Sequence, residues 1–409
     1  MSQTTVHTTP PDLERRPDPY PWLAALREAG PVQRIALRGG FEGWLVTRYD
    51  DVFAAITDPR LSNDPAKAGE HIRNHPAFRR RDDDFGTSML STDPPDHTRL
   101  RRLVSRVFTV RRVELLRPRV QEIADALLDA MAGADTVDLV AEYAFPLPVS
   151  VICELLGVPL ADRDRFRRWS TDLLVTPVDE ASVKISLDAR RSLFDYLREL
   201  VDRKRAAPGD DLLSALVEAE GEQRLTDEEV VAMGVLLLVA GHETTVNLIG
   251  TGMLLLLRHP DQLAALRADP ALLPSAIEEF LRFDGPVMLG VGRFAAEDIE
   301  IGGVRIPAGD VVMLSVGAAN RDPARFDRPD IVDITRRDNR HAAFGHGIHV
   351  CLGAALARLE GEIAIGSVLR RFPDLALATD DADLVWRPSV IRGPESLLVS
   401  LDHERSGAS

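Results

Sequence analysis

Phe344-Gly345-His346-Gly347-Ile348-His349-Val350-Cys351-Leu352-Gly353 decides the reading of this chain, because it sets one of only two cysteines on a glycine-rich loop that opens a helix. Beyond the loop, Leu352, Leu356, Leu359 and Ile363 recur at helical spacing. Cys351 is thereby placed where unpaired backbone N–H groups and the positive end of the helix dipole favour a thiolate, the form that binds metals. Gly345, Gly347 and Gly353 remove side chains where a flat group has to come close to the backbone. A lone Cys-x-Gly would read equally well as a buried small hydrophobe beside an ordinary turn. Other constellations in the chain decide between the two.

The first is a predicted helix that starts at Thr226, where Thr226-Asp227-Glu228-Glu229 has the form of a capping box. Its body, Val230 to Leu257, is apolar almost all round, the composition of a helix that crosses a protein interior. Into that interior Ala240-Gly241-His242-Glu243-Thr244-Thr245 brings an acid and two hydroxyls, and a buried carboxylate without partners costs several kcal/mol on a rough estimate. A satisfied polar network or a glycine-weakened kink would account for the segment; so would chemistry.

Taken together these stretches resemble the cytochrome P450 family. Phe344-Gly-x-Gly347-x-His349-x-Cys351-x-Gly353 matches the usual positions of its haem-thiolate loop, and Ala240 to Thr245 resembles the oxygen-binding kink of its central helix. The resemblance implies a mainly α fold with a minor β-sheet region, a single haem-binding domain, with haem b as cofactor and Cys351 as the axial metal ligand beside Phe344, Gly345 and Gly353. It implies that Ala240 and Gly241 open the central helix, and that Glu243 is the acid and Thr244 the alcohol that relay protons to dioxygen. Such a pair is needed because splitting the O–O bond takes two protons, delivered without flooding the site with water.

Glu279-Phe280-Leu281-Arg282 carries an acid and a base at i and i+3, by itself an ordinary helix-surface pair worth a few tenths of a kcal/mol. It resembles the family's Glu-x-x-Arg lock behind the haem loop, with Arg336 as third member. His97 and Arg101 stand at i and i+4 on one helical face, able to reach one buried anion. With Arg293 and His349 they resemble the family's haem-propionate clamp, whereas a solvated charge would explain His97 alone. The resemblance places the substrate pocket at Met89, Leu90, Leu173, Leu174, Leu238, Val239, Val287, Met288, Leu289, Val291 and Ile391, and their apolar character implies a lipophilic small molecule.

Composition supports this reading. A net charge of −15 and a pI near 5.2 exclude nucleic-acid binding, since phosphates would be repelled. Cys153 lies in the apolar run Val151 to Leu156, where burial explains it. The N-terminus has no apolar core, so no signal peptide or membrane anchor is expected, and the protein is expected to be cytoplasmic. Residues 1–20 read as a flexible N-terminal segment and 21–405 as one domain. Val32 to Leu37 and Gly43 to Val46 form a predicted strand pair around Arg38-Gly39-Gly40, helices are expected from Asp51 to Phe283, and Leu384 to Leu401 is expected to close the chain as a hairpin with Gly393-Pro394 at its turn.

The implied reaction is insertion of one oxygen atom from O2 into a C–H bond, as in macrolide and vitamin D hydroxylases of actinomycetes, with electrons from NAD(P)H through ferredoxin and ferredoxin reductase. Between Arg99 and Arg119 eight arginines face a single acid, Glu114. This run is a candidate ferredoxin surface, or simply a solvated helix face. An oxidative coupling or other non-hydroxylating oxidation on the same haem is the alternative, and a haem-binding protein without turnover the remote one.

Overall fold

The computed structural model describes residues 6–8, 16–37, 42–75, 78, 88–175, 179–218, 225–380, 383–387 and 389–401. The turn expected at 38–40 lies outside them. The principal helices are α1 (Tyr20–Ala29), α2 (Tyr49–Thr57), α3 (Asp96–Val107), α4 (Arg117–Met131), α5 (Pro146–Leu156), α6 (Arg163–Leu173), α7 (Glu180–Ala206), α8 (Asp227–Arg258), α9 (Leu273–Asp284) and α10 (Ala354–Arg371). The strands are β1 (Val6–Thr8), β2 (Val32–Ala36), β3 (Glu42–Val46), β4 (Leu61–Ser62), β5 (Thr136–Asp138), β6 (Arg293–Ala295), β7 (Ile299–Ile301), β8 (Val304–Ile306), β9 (Val311–Leu314), β10 (Ala376–Leu377) and β11 (Leu398–Ser400). The fold is mainly helical with minor sheets, as the sequence predicts.

Helix α8 organises the rest. Thr226 Oγ1 accepts from the Glu229 amide at 3.2 Å while Glu229 Oε2 accepts from the Thr226 amide at 2.8 Å, the expected capping box. Leu238, Val246, Ile249, Met253 and Leu256 along its length are at most 1% exposed. This helix is long and apolar enough to cross a membrane, yet 72% of its most apolar stretch is buried inside the protein, the pattern of a core helix. Around it α4, α5, α9 and α10 share one large core. The Tyr143 hydroxyl donates to the Ala364 carbonyl at 3.0 Å, tying the approach to α5 onto α10. Cys153 is buried in α5, and burial pushes its thiol up to about 12, so it has no call on a metal.

Beside the helices lies a six-stranded sheet in the order β1-β2-β3-β9-β6-β4. The expected pair β2 and β3 is antiparallel, with Arg34 opposite Trp44. A smaller core of Trp44, Val46, Leu314 and Phe326 packs α2 against the sheet. This layer carries Arg293, on β6, towards the cysteine loop.

Four expectations are corrected here. Residues 1–20 are not loose throughout: Val6–Thr8 pairs in parallel with β2, and the Arg16 and Pro17 carbonyls accept from Arg392 at 2.7 and 3.0 Å. The helical run from Asp51 to Phe283 is interrupted by β4, by β5 and by a wide π-helical turn at Val140–Ala144, since short edge pairings leave no periodic signature. The closing segment does fold back, with Trp386 bridged to Pro394, but Gly393 and Pro394 lie in its returning arm, not at its turn. Its last strand, β11, pairs with β10 and β5 instead of with the outgoing arm.

Candidate active site

The cysteine loop is built on backbone that only glycine adopts freely. Gly345 and Gly347 have φ of 67° and 69°, and a Cβ on Gly347 would approach Thr57 Cγ2 to 3.0 Å. The Cys351 amide donates to the Phe344 carbonyl at 2.8 Å and closes the loop. A side chain at Gly353 would stand 4.0 Å from the Cys351 sulfur, with nothing else within reach, so the ground beside the sulfur is clear. Arg358 fastens the loop from behind. It bonds Glu278 at 2.7 and 2.9 Å and lies 4.4 Å over the Phe344 ring.

Cys351 is exposed on its loop, yet desolvation by the protein around the sulfur raises its pKa, and the Gly353 and Ala354 amides with Arg101 and Arg358 only partly offset it. The helix proper begins at Ala354, and two amides and two guanidiniums do not repay the lost hydration of a thiolate. A metal charge does, since a coordinating thiol is deprotonated outright.

Across the loop, His97 and His349 stack with ring centroids 4.2 Å apart. His97 is 2% exposed and neither of its ring nitrogens has a hydrogen-bond partner. Arg293, also buried, donates to the Ala55 and Ile56 carbonyls at 3.3 and 2.8 Å. Burial, then Arg101, depress the His97 pKa; burial, then His97 and Arg293, bring His349 down to about 4; burial lowers Arg101 and Arg293. Asp93, the nearby acid, is engaged with the Ser62 hydroxyl and, at 3.0 Å, the Asn63 amide. The structure thus brings together all four predicted residues, with the buried His97 nitrogens left without a partner among them. Among the described residues no three His, Cys, Asp or Glu side chains converge to hold a bare ion. One cysteine facing cleared ground, with the unpartnered His97 ring, Arg101 and Arg293 gathered near it, suits an iron that arrives with its own macrocycle, and the residues fit haem b.

On α8 the outcome is mixed. The helix is unbroken through Gly241, so the opening expected at Ala240 and Gly241 is not a break. Thr244 Oγ1 donates to the Ala240 carbonyl at 2.9 Å, and a Cβ at Gly241 would meet Ile152 Cδ1 at 2.8 Å, so this glycine serves the close approach of α5. Glu243 is 2% exposed. Its Oε1 accepts from Thr171 at 3.3 Å and lies 3.5 Å from His242 Nε2; its Oε2 accepts from Arg387 at 3.3 Å. Burial pushes its pKa up, but His242, Arg387 and Thr171 together hold it below the ordinary value. Sequence reasoning missed Arg387, Thr171 and Ser170, which come from distant segments without local signal; His242 was visible in the motif but carried no role.

The lock behind the loop is present. Arg282 bonds Glu279 at 2.8 and 2.6 Å, and Arg336 Nε reaches the same carboxylate at 3.2 Å. Asn339, not foreseen, adds a bond at 3.1 Å. Arg282 also donates to the Asn320 carbonyl at 3.0 Å, and the Asn320 side chain accepts from the Ala342 amide at 2.7 Å, so the lock runs on into the start of the cysteine loop.

Of the expected pocket residues, Leu238 and Met288 are corrected. They are 0% and 1% exposed and belong to packed cores, Met288 against Tyr20 and Leu23. Met89 and Leu173 are nearly closed, Leu174, Val239, Val287, Leu289 and Ile391 are half-buried, and Leu90 and Val291 are exposed. The basic run is thinner than its sequence. Arg99 pairs with Glu229, Arg117 with Glu114, and Arg119 with Glu154 and Glu122, which leaves Arg102, Arg106 and Arg111 among the exposed cations.

A mainly helical fold around a glycine-cleared cysteine, a buried propionate-type clamp and an acid and alcohol on the central helix defines a haem-thiolate enzyme. The description Cytochrome P450 matches residues 63–390, and the chain belongs to that family. It is 53% identical over 382 residues to Cytochrome P450 107B1 of Saccharopolyspora erythraea, covering 92% of this chain and 93% of the relative. It is 47% identical over 406 residues to 6-deoxyerythronolide B hydroxylase of the same organism, covering 97% and 100%. The tirandamycin C-bound P450 monooxygenase TamI superposes with a TM-score of 0.88 at 44% identity, covering 97% of this chain and 100% of that one. The chain is therefore a monooxygenase, and its cofactor is haem b.

Proposed function

We propose that this protein hydroxylates a lipophilic small molecule of polyketide or macrolide type, or a steroid-like compound, in secondary metabolism. The reading is carried by the retained pair Glu243 and Thr244 on a helix whose other faces are packed, which favours dioxygen chemistry, and is supported by relatives named for macrolide and polyketide ligands. Haem b, when bound, supplies the redox centre at which one oxygen atom of O2 goes into a C–H bond and the other leaves as water, with two electrons from NAD(P)H. Cys351 holds its iron and feeds electron density to it. His97, Arg101, Arg293 and His349 hold the propionates. Thr244, whose hydroxyl can both donate and accept, would pass protons towards the oxygen site, with Glu243 as its proton source. Val239, one helical turn before Glu243, and Leu174, just after Thr171, are half-buried apolar side chains that favour an apolar ligand while excluding water.

Electrons arrive from ferredoxin and its reductase on the face of Arg102, Arg106 and Arg111, in the cytoplasm. Reconstitution with ferredoxin, reductase, NADPH and 18O2 over a library of macrolide aglycones and sterols tests the function. Incorporation of one labelled atom is expected, and a product oxidised without label marks the coupling alternative. Cys351→Ser is expected to abolish both turnover and the thiolate-type absorption of the reduced CO complex, while Cys153→Ser keeps both.

A further inference from the structure

Glu243 has a buried ring beside it. His242 is fully buried, and both its nitrogens have defined neighbours. Nδ1 lies 2.7 Å from the Leu238 carbonyl oxygen. A carbonyl only accepts, so Nδ1 carries hydrogen. Nε2 lies 3.0 Å from the Ser170 hydroxyl oxygen and 3.5 Å from Glu243 Oε1. The Arg167 carbonyl, 3.0 Å from Ser170 Oγ, offers an acceptor for the hydroxyl hydrogen, which leaves the Ser170 oxygen able to accept from the ring. The carboxylate accepts as well. Both neighbours of Nε2 can thus take a hydrogen from it, and a ring that donates from both nitrogens is an imidazolium.

The carboxylate beside the ring supplies the counter-charge to that imidazolium, against two guanidiniums further off. Glu243 is the anion beside the ring, and Arg387 meets the far oxygen of the same carboxylate at 3.3 Å. Arg167 lies 4.4 Å over the Phe145 ring, whose edge faces the imidazole at 5.8 Å. From α5 the helix meets Ile152, which is apolar. A carboxylate tied to both Arg387 and His242 is ionised and cannot by itself donate.

We propose that His242 is a positioning residue that holds a proton for Glu243, an inference that rests on Glu243 being the acid. The transfer is one proton. The Nε2–H bond breaks with its electron pair left on nitrogen, and an O–H bond forms at Oε1, so that an ion pair becomes a neutral imidazole and a carboxylic acid. The ring need not turn, because the Nδ1–H bond to Leu238 persists throughout. The acid so formed is the proton source proposed above for Thr244. Thr171, exposed at the end of α6 and bonded to Oε1 at 3.3 Å, gives the pair its route back to a solvent proton.

The test uses the holoenzyme labelled with 15N-histidine, as its diamagnetic reduced CO complex, with the His242 ring signals identified by their loss in His242→Gln. Two protonated nitrogens at neutral pH are expected, with Nε2 losing its proton in Glu243→Gln because the stabilising charge is gone. A bare Nε2 in the parent, or one that stays protonated in Glu243→Gln, overturns the proposal. In turnover, His242→Gln is expected to lower product formed per NADPH roughly tenfold, a part of the ~10²–10⁴ that a positioned acid contributes. Equal coupling in variant and parent overturns it too. Failure of the acid role itself shows separately, as Glu243→Gln coupling as well as the parent whatever the ring signals report.

Discussion

His97 on α3 and His349 in the cysteine loop meet ring to ring at 4.2 Å, and the nitrogens of His97 find no partner in the protein. Burial depresses the protonation of both rings and His97 lowers that of His349 further, while the unpartnered nitrogens of His97 are costly to bury without an anion. Arg101, one turn beyond His97, completes the set. Arg101→Leu is expected to speed haem loss to apomyoglobin by about tenfold, on the order of the 1–3 kcal/mol of a charge-assisted bond, with little change in substrate preference. Equal loss rates in variant and parent would contradict the clamp.

Thr244→Ala is expected to keep haem and substrate binding while diverting most NADPH to hydrogen peroxide, and Glu243→Gln to slow oxygen consumption. Stoichiometry of NADPH, peroxide and product checks both. Unchanged coupling in Thr244→Ala would hand the hydroxyl's role to the substrate.

Glu278 supplies a pH dependence. Burial raises its pKa, but the bonds from Arg358 and His341 outweigh it and bring it from 4.5 to about 2. A carboxyl depressed by folding stabilises the protein above its unfolded pKa, and this contribution is lost as pH falls from about 4.5 towards 2. With the side chain 28% exposed, roughly 2 kcal/mol is expected after screening. Thermal unfolding of Glu278→Gln should therefore fall below the parent at pH 7 and approach it near pH 3, while Phe344, no longer pinned through Arg358, loosens the haem loop.

Arg102 and Arg106 remain exposed after their neighbours are paired. Reversing both to Glu is expected to slow reduction by ferredoxin about tenfold at low salt and little at high salt, since the Debye length is roughly 8 Å at physiological ionic strength. Reduction by dithionite should not change. Equal ferredoxin rates across an ionic-strength series would place docking elsewhere.

What was legible in the sequence was what lies close together along it. The cysteine loop, the capping box and the Glu279–Arg282 pair each sit within ten residues, and the structure forms the glycine turn, the cap and the ion pair there. What was not legible depends on distant segments. Arg387 reaches Glu243 across 144 positions, and Asn339 reaches Glu279 across 60. Gly241 was misjudged because only the packed structure shows Ile152 against it. Leu238 and Met288 share the apolar character of their accessible neighbours, and burial alone separates them.

Glu229 closes the cap of α8 through Thr226 at 2.8 Å, and the same carboxylate takes the Arg99 guanidinium at 3.1 Å. One side chain is therefore a member of two bonds whose free energies are not separable. Thr226→Ala removes the acceptor of the Glu229 amide and loosens the turn that holds the carboxylate to the Thr226 N–H, and Arg99→Leu frees the carboxylate to tighten on the cap, so the loss in the double variant differs from the sum of the single losses. The first turn of the central helix and the helix that carries His97 and Arg101 thus belong to one cooperative unit.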